Sequence, residues 1–338
     1  MGTKSWAQQA VEEFFQHRNS PSQADCDQRA QSITGASLVR PVDAPGAFSY
    51  TVICTSCRGG RNFIVSFREP EAHLDVAMVE LAKNIHGNLV PETTDVGAVK
   101  DADPPLGIYV MQYLPGIPCL NGISGSVDMD VNEETRHCSF IKSLARYFAR
   151  CWSKPQRVDY EIRATQKTAI SRRLAALTSS SSALPSSAIS ELESRLPALF
   201  DEEYPQVLTH GDLSLTNVLV DKDTHEITGL VDWSLATVLP FGMELDFLLL
   251  TLGFMNLSGW HDYICRERIQ AVFWDEFWTS TGIRDYTQQT GIRSRAESAA
   301  KIGTMLRYAF KRNADGSASE TVQLSGSMVA CLPIWLLR

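Results

Sequence analysis

Short β-type runs and helical periods are segregated along this 338-residue chain. SLVRPV, FSYTVIC and NFIVSFR, residues 37–42, 48–54 and 62–68, are rich in β-branched and aromatic residues and are bounded by turn sequences. GIYVMQYL, 107–114, is another such run, closed by Pro115-Gly116. Between them residues 71–86 return to helical spacing, with Leu74, Met78, Leu81 and Ile85 on one face. After Gly116 the pattern is mostly helical, over 133–152, 260–280 and 294–312. Two further helices precede the first strand, over 5–17, where Trp6, Ala10, Phe14 and His17 repeat, and over 22–32. Strands gathered before helices predict an α+β fold: a small antiparallel sheet with one key helix, then a larger helical part. The expected boundary divides residues 1–113 from 114–338.

One hairpin interrupts the helical part. VLVD (218–221) and ITGLVDW (227–233) flank the turn KDTHE. A turn centred between Thr224 and His225 would set Asn217 opposite Asp232, with cross-strand partners about 5 Å apart. Asp212 lies five residues before Asn217, on the loop leading to the same end. A carboxylate and an amide carbonyl are hard oxygen ligands that suit Mg²⁺, which leaves places for phosphate oxygens and water. A second carboxylate beside the metal suits a base that receives a hydroxyl proton. Asp and Asn also favour turns and caps singly, but the joint pattern H-G-D-x-x-x-x-N followed by V-D-W is much rarer.

Charge and cysteines narrow the class. The formal charge of −8 argues against a nucleic-acid partner, which needs clustered Lys and Arg. No segment approaches the ~20 apolar residues of a membrane span. The start is polar and then amphipathic, unlike a secretory signal, so the expected location is cytoplasmic. Cys54 and Cys57 form a single CxxC with no matching second pair, which reads as ordinary thiols near a hairpin.

At HGDLSLTN and LVDW the chain resembles the aminoglycoside phosphotransferase family, and its general style, in FREPEAHLD and HGNLVPE, is similar to uncharacterised fungal members. The resemblance implies a two-lobed protein-kinase-like fold with ATP between the lobes and a small-molecule acceptor. It implies Asp212 as catalytic base, Asn217 and Asp232 as Mg²⁺ ligands, His210 steadying the loop and Asp246 anchoring it. Met111, Gln112 and Tyr113 fall at the hinge that meets adenine, and Ser49 in PGAFSYTV falls at the phosphate-covering loop. No GxxxxGK[ST] is present.

The chain departs from the family at the phosphate-pairing lysine, where IVSFR places Ser66. Arg68 shares a strand face with Ser66 and could take over its task, though an arginine fork differs from an ammonium. Asp75 and Glu80 both stand available as the helix partner; five residues apart, they point about 140° from each other. Ser234 replaces an acid common after VDW. Asp128, Asp130, Glu133 and Glu134 form an acidic run that reads as a helix cap or a substrate contact. Trp260, Tyr263, Phe273, Trp274, Phe277 and Trp278 line either the core or an acceptor wall. No D-F-G or A-P-E follows the hairpin, which argues against a protein kinase. Two alternatives stay open: a nucleotide-binding pseudokinase or scaffold, suggested by the missing lysine, and a repurposed enzyme of secondary metabolism. The oligomeric state is not legible.

Overall fold

The structure is a computed structural model that describes residues 5–16, 18, 20–56, 60–180, 184–313, 316–324 and 331–336. His17 and Cys57 therefore lie outside the described residues. The chain divides into two compact units, and the first takes residues 1–115, 228–234 and 314–316.

The first unit opens with α1 (Trp6–Gln16) and α2 (Gln23–Thr34). Ser22 and Asp25 close a capping box at the start of α2, and Gly35 ends it in the left-handed region. Five antiparallel strands follow in spatial order β1-β2-β3-β5-β4: β1 (Leu38–Pro41), β2 (Ser49–Thr55), β3 (Phe63–Arg68), β4 (Thr93–Val99) and β5 (Leu106–Gln112). In β2 and β3, Tyr50 opposes Phe67 and Val52 opposes Val65. These buried residues share a core with Val11 and Phe14 of α1 and Cys26 and Ala30 of α2. Period-two alternation sends Ser49, Thr51, Ser66 and Arg68 to the opposite face, where Ser49 opposes Arg68 and Thr51 opposes Ser66.

The helix expected over 71–86 starts later, as α3 (Val76–His86). Pro70–Ala72 forms a 3-10 turn first, and the Asp75 carboxylate caps α3 by accepting from Ala77 N and Met78 N. The delayed start rotates the buried face onto Val79, Ala82, Ile85 and His86.

The second unit takes residues 116–227, 235–313 and 317–338. Its helices are α4 (Val131–Ser153), α5 (Tyr160–Ser180), α6 (Ser186–Leu199), α7 (Asp246–Leu250), α8 (Arg266–Thr281), α9 (Tyr286–Tyr308) and α10 (Leu332–Leu336). Short strands punctuate them: β6 (Ile117–Pro118), β7 (Gln206–Thr209), β8 (Val218–Val220), β9 (Ile227–Leu230), β10 (Thr237–Pro240), β11 (Gly253–Asn256), β12 (Gly259–Asp262), β13 (Phe310–Arg312) and β14 (Ala318–Val322). The division between units falls inside β9, after Ile227. The acidic run resolves as a cap: Asp130 and Glu133 form a capping box at the start of α4. Residues 260–280 are not one helix, because Trp260 lies in the β11–β12 hairpin and α8 begins at Arg266. Phe273, Trp274 and Phe277 of α8 are buried, and Phe277 meets Phe241 at 5.5 Å between ring centres. These aromatics are core.

Close approach also fixes α9. A Cβ on Gly303 would lie 1.8 Å from the carbonyl oxygen of Met243. Gly303→Ala must therefore push α9 off the 242–245 turn, and we expect a loss of about 2 kcal/mol or more. Denaturant titration checks this; wild-type stability in the variant would mean that the contact does not form.

Candidate active site

β7 is buried throughout and delivers His210, Gly211 and Asp212 at its end. Gly211 has φ +79°, and a Cβ there would stand 2.0 Å from Leu235 O, so glycine is required on both counts. The main chain at this point is held by Glu244, which is buried. Its Oε2 accepts from His210 N (3.0 Å) and its Oε1 from Gly211 N (2.8 Å), while the Tyr147 hydroxyl donates to Oε2 at 3.2 Å. Burial pushes the Glu244 carboxyl up to about 7, against the pull of these two N–H donors.

Asp212 is pinned from two sides. The Asn217 amide donates to the Asp212 main-chain oxygen (2.9 Å) and to Oδ2 (3.2 Å). Arg307 donates to Oδ1 at 3.0 Å and lies 3.8 Å from Asp246 Oδ2. His210 is buried, and its Nδ1 faces the Asp212 N–H at 3.4 Å. Asp246, the first residue of α7, is buried, which raises its carboxyl to about 6 although Arg307 opposes the shift. Burial works against charge on Arg307, yet Asp246, Tyr308, Asp212 and Glu244 together hold its pKa above the ordinary arginine value.

The hairpin turn differs from expectation. Asp221 N donates to Glu226 O, which centres the turn between Asp223 and Thr224, one residue earlier than expected. The cause is local: Asp221 Oδ1 accepts from Asp223 N, Thr224 N and Thr224 Oγ1, and His225 enters the left-handed region at φ 59°. Moving the centre by one residue moves the register by two, so this turn does not set Asn217 directly opposite Asp232.

In the first unit, the polar face of β2 and β3 carries a second constellation. Arg68 is buried and donates through Nε to Ser66 Oγ (3.1 Å), through NH1 to Ala72 O (3.3 Å) and through NH2 to Asp232 Oδ1 (3.0 Å). Ser66 shares a 2.8 Å hydrogen bond with Thr51. Ser49 is buried opposite Arg68. Asp232 takes φ +65°, and Ser234 Oγ donates to its Oδ1 at 3.1 Å. Trp233 stacks on His86 of α3. The two carboxylates that the sequence offered as helix partners are elsewhere: Asp75 caps α3, and exposed Glu80 makes no bond to Arg68. At the expected hinge, Gln112 N donates to Glu92 O (2.8 Å) and Tyr113 N to Asn62 O (3.4 Å). Met111 sits between Ile64 of β3 and Thr93 of β4.

Against this geometry, the model of the phosphotransferase enzyme family, APH, matches residues 45–272. The chain belongs to the APH family. The match takes in the sheet, the 210–217 loop, Asp232 and Asp246, and stops before Arg307. Among solved structures, the APH-family chain is similar to Plasmodium vivax ethanolamine kinase, with TM-score 0.55, 11% identity, and 90% of this chain and 88% of that one covered. It is also similar to the macrolide 2'-phosphotransferase of Brachybacterium faecium, with TM-score 0.48, 19% identity, and 83% and 91% covered. No curated protein matches it in sequence. The fold is therefore kinase-like, with an antiparallel N-terminal sheet and a helical C-terminal region. Among the described residues no helix is long and apolar enough to cross a membrane.

Sequence reasoning missed Glu244 and Arg307. Glu244 lies in GMELDF, where an acid inside an apolar run is the signal of a buried partner; Arg307 has no such signal. Glu244 also makes a pH prediction. Its folded pKa of about 7 exceeds the ordinary 4.5, so its contribution to stability is full below pH 4.5 and is lost as pH rises through 7. Glu244→Gln should flatten the stability profile between pH 4.5 and 7, removing a fall on the order of 3 kcal/mol. An unchanged slope in the variant would show that Glu244 is not the titrating group.

Proposed function

We propose that this APH-family chain is a small-molecule kinase that transfers the γ-phosphoryl group of ATP to a hydroxyl, or an amine, of a metabolite. Asp212, held at the end of β7 with its carboxylate shared between Asn217 and Arg307, is the observation that carries the reading. In this reading residues 1–113 form the nucleotide-binding lobe and 114–338 the acceptor-binding lobe.

The donor set suits a magnesium ion. The Asn217 amide spends its N–H₂ on Asp212, which presents its carbonyl oxygen as a hard ligand, and Asp232 supplies the carboxylate. Magnesium held by Asn217 and Asp232 would neutralise charge on the transferred group. Ser49, Ser66 and Arg68 form the phosphate-facing strand surface, and Met111 to Tyr113 the adenine edge. Glu80 keeps its expected place near the phosphates only if α3 moves, since Arg68 is already held by Asp232.

Asp212 takes the proton of the acceptor hydroxyl as the new oxygen–phosphorus bond forms and ADP leaves. His210 and Glu244 keep the main chain still while this happens. A base so positioned contributes about 10²–10⁴-fold. Small-molecule kinase chemistry is what the name of the structurally similar ethanolamine kinase describes for that protein.

A second reading has one observation in its favour. Ser66 stands where the family carries its lysine, and Arg68 is engaged with a proposed metal ligand, as a nucleotide-binding scaffold would tolerate. Asp212→Asn separates the two. We expect ATP consumption with the acceptor to fall at least about 100-fold while Mg·ATP affinity changes little. Turnover equal to wild type would remove Asp212 as base, and ATP binding with no consumption by the wild type across an acceptor panel would favour the scaffold.

A further inference from the structure

The wall beside Asp212 is basic. A cavity of about 350 Å³ opens in the second unit between the end of β7, β10, α9 and β14. This volume is in the range of small-molecule pockets. Arg173, Arg307 and Arg312 line it, with Met243 and Leu306 supplying apolar surface. Two carboxylates also reach it, Glu244 and Asp246, but the Glu244 oxygens are committed to His210, Gly211 and Tyr147. Burial raises both acids toward neutrality, which leaves the guanidinium charge dominant.

Two polar atoms in this wall are buried without a hydrogen-bond partner among the described residues. One is a donor, Arg173 Nε, and the other an acceptor, Asp246 Oδ2. Asp246 is 3% exposed, and the nearest guanidinium nitrogen, Arg307 NH1, stands 3.8 Å away, beyond hydrogen-bond reach. Buried polar groups left unpaired are costly, so an orphan donor and an orphan acceptor on one cavity call for a ligand carrying both complements. An oxyanion satisfies the arginines and a hydroxyl satisfies Asp246. An ammonium would instead enter against three guanidinium groups.

We propose that the acceptor is a small hydroxylated acid, its carboxylate or phosphate ester held by Arg173, Arg307 and Arg312 and one of its hydroxyls presented to Asp212. The proposal rests on the kinase reading for the role of Asp212, but the cavity chemistry stands without it. Arg307 links the two sites, because an arriving oxyanion competes with Asp212 for its NH2 and frees Oδ1 to accept the proton. Arg307 and Arg312 lie beyond the family match, which ends at residue 272, so this specificity belongs to the chain's own C-terminal part.

Titration calorimetry on the full chain tests this with three probes: glycerate, glycerol phosphate and ethanolamine. We expect the acids to bind, Arg312→Gln to weaken them about tenfold or more, and ethanolamine to give no heat. The tighter of the two acids identifies carboxylate or phosphate ester as the recognised group. Protection of Arg312 from phenylglyoxal by the same acids, read by peptide mass in the wild type, supplies the answer should the variant fail to fold. Acid binding that survives Arg312→Gln but is lost in Arg68→Gln would place the anion on the nucleotide side and overturn the proposal. Ethanolamine binding in preference to both acids would overturn it too. Parallel assays of ATP consumption keep the readings apart. Arg312-dependent binding with no acid phosphorylated would sink the kinase and keep the cavity, whereas phosphorylated ethanolamine without acid binding would do the reverse.

Discussion

Glu244 is the constraint on which the second unit's site depends. A carboxylate removed from water persists only where donors meet it, and here those donors are the main-chain N–H groups of His210 and Gly211. The bond is made to backbone, so it fixes the position of Asp212 whatever the neighbouring side chains do. It also explains why Gly211 is a glycine: the chain must turn at φ +79° to present two successive N–H groups to one carboxylate, with Leu235 O closing off the space. Asp246, two residues on, works through a different device. It meets Arg307, and Arg307 meets Asp212, so the base is steadied by a chain of alternating charge.

Asp232 is governed from the first unit. Alternation along β2 and β3 puts the apolar residues against α1 and α2, which forces Ser49, Thr51, Ser66 and Arg68 onto one polar face. Arg68 then pairs with Asp232 at 3.0 Å, and Trp233 packs on His86. The missing lysine is thus not simply a gap. A longer, forked side chain from the next same-face position reaches a carboxylate that the proposed mechanism assigns to magnesium, and nucleotide binding must contend with that pair.

Much of this was legible in sequence where the signal is local. The β-type runs 48–54 and 62–68 alternate cleanly, and they became β2 and β3. The stripe Phe140, Leu144, Phe148 and Cys151 is buried on α4 as its period predicts. β4 escaped notice because TTDVGAV is mostly exposed and bulged between Asp95 and Gly97, so neither alternation nor apolarity marks it. The start of α3 was misplaced because Asp75 looks like a helical acid until its carboxylate is seen capping Ala77 and Met78. The hairpin turn was displaced by one residue through the three hydrogen bonds of Asp221, a competition that propensity does not rank. Arg307 could not be found at all: its partner Asp212 is 95 residues away, and no pattern in α9 distinguishes it from its neighbours.

The central claim is that Asp212, Asn217 and Asp232 serve one phosphoryl-transfer site. A crystal structure with magnesium and a non-hydrolysable ATP analogue tests it most directly. The account predicts magnesium on the Asn217 carbonyl oxygen and the Asp232 carboxylate, with the terminal phosphate facing Asp212 and Arg68 turned from Asp232 to phosphate. Nucleotide bound with the metal on other ligands, or with Asp232 still paired to Arg68 and Asp212 remote from the phosphate, would contradict it.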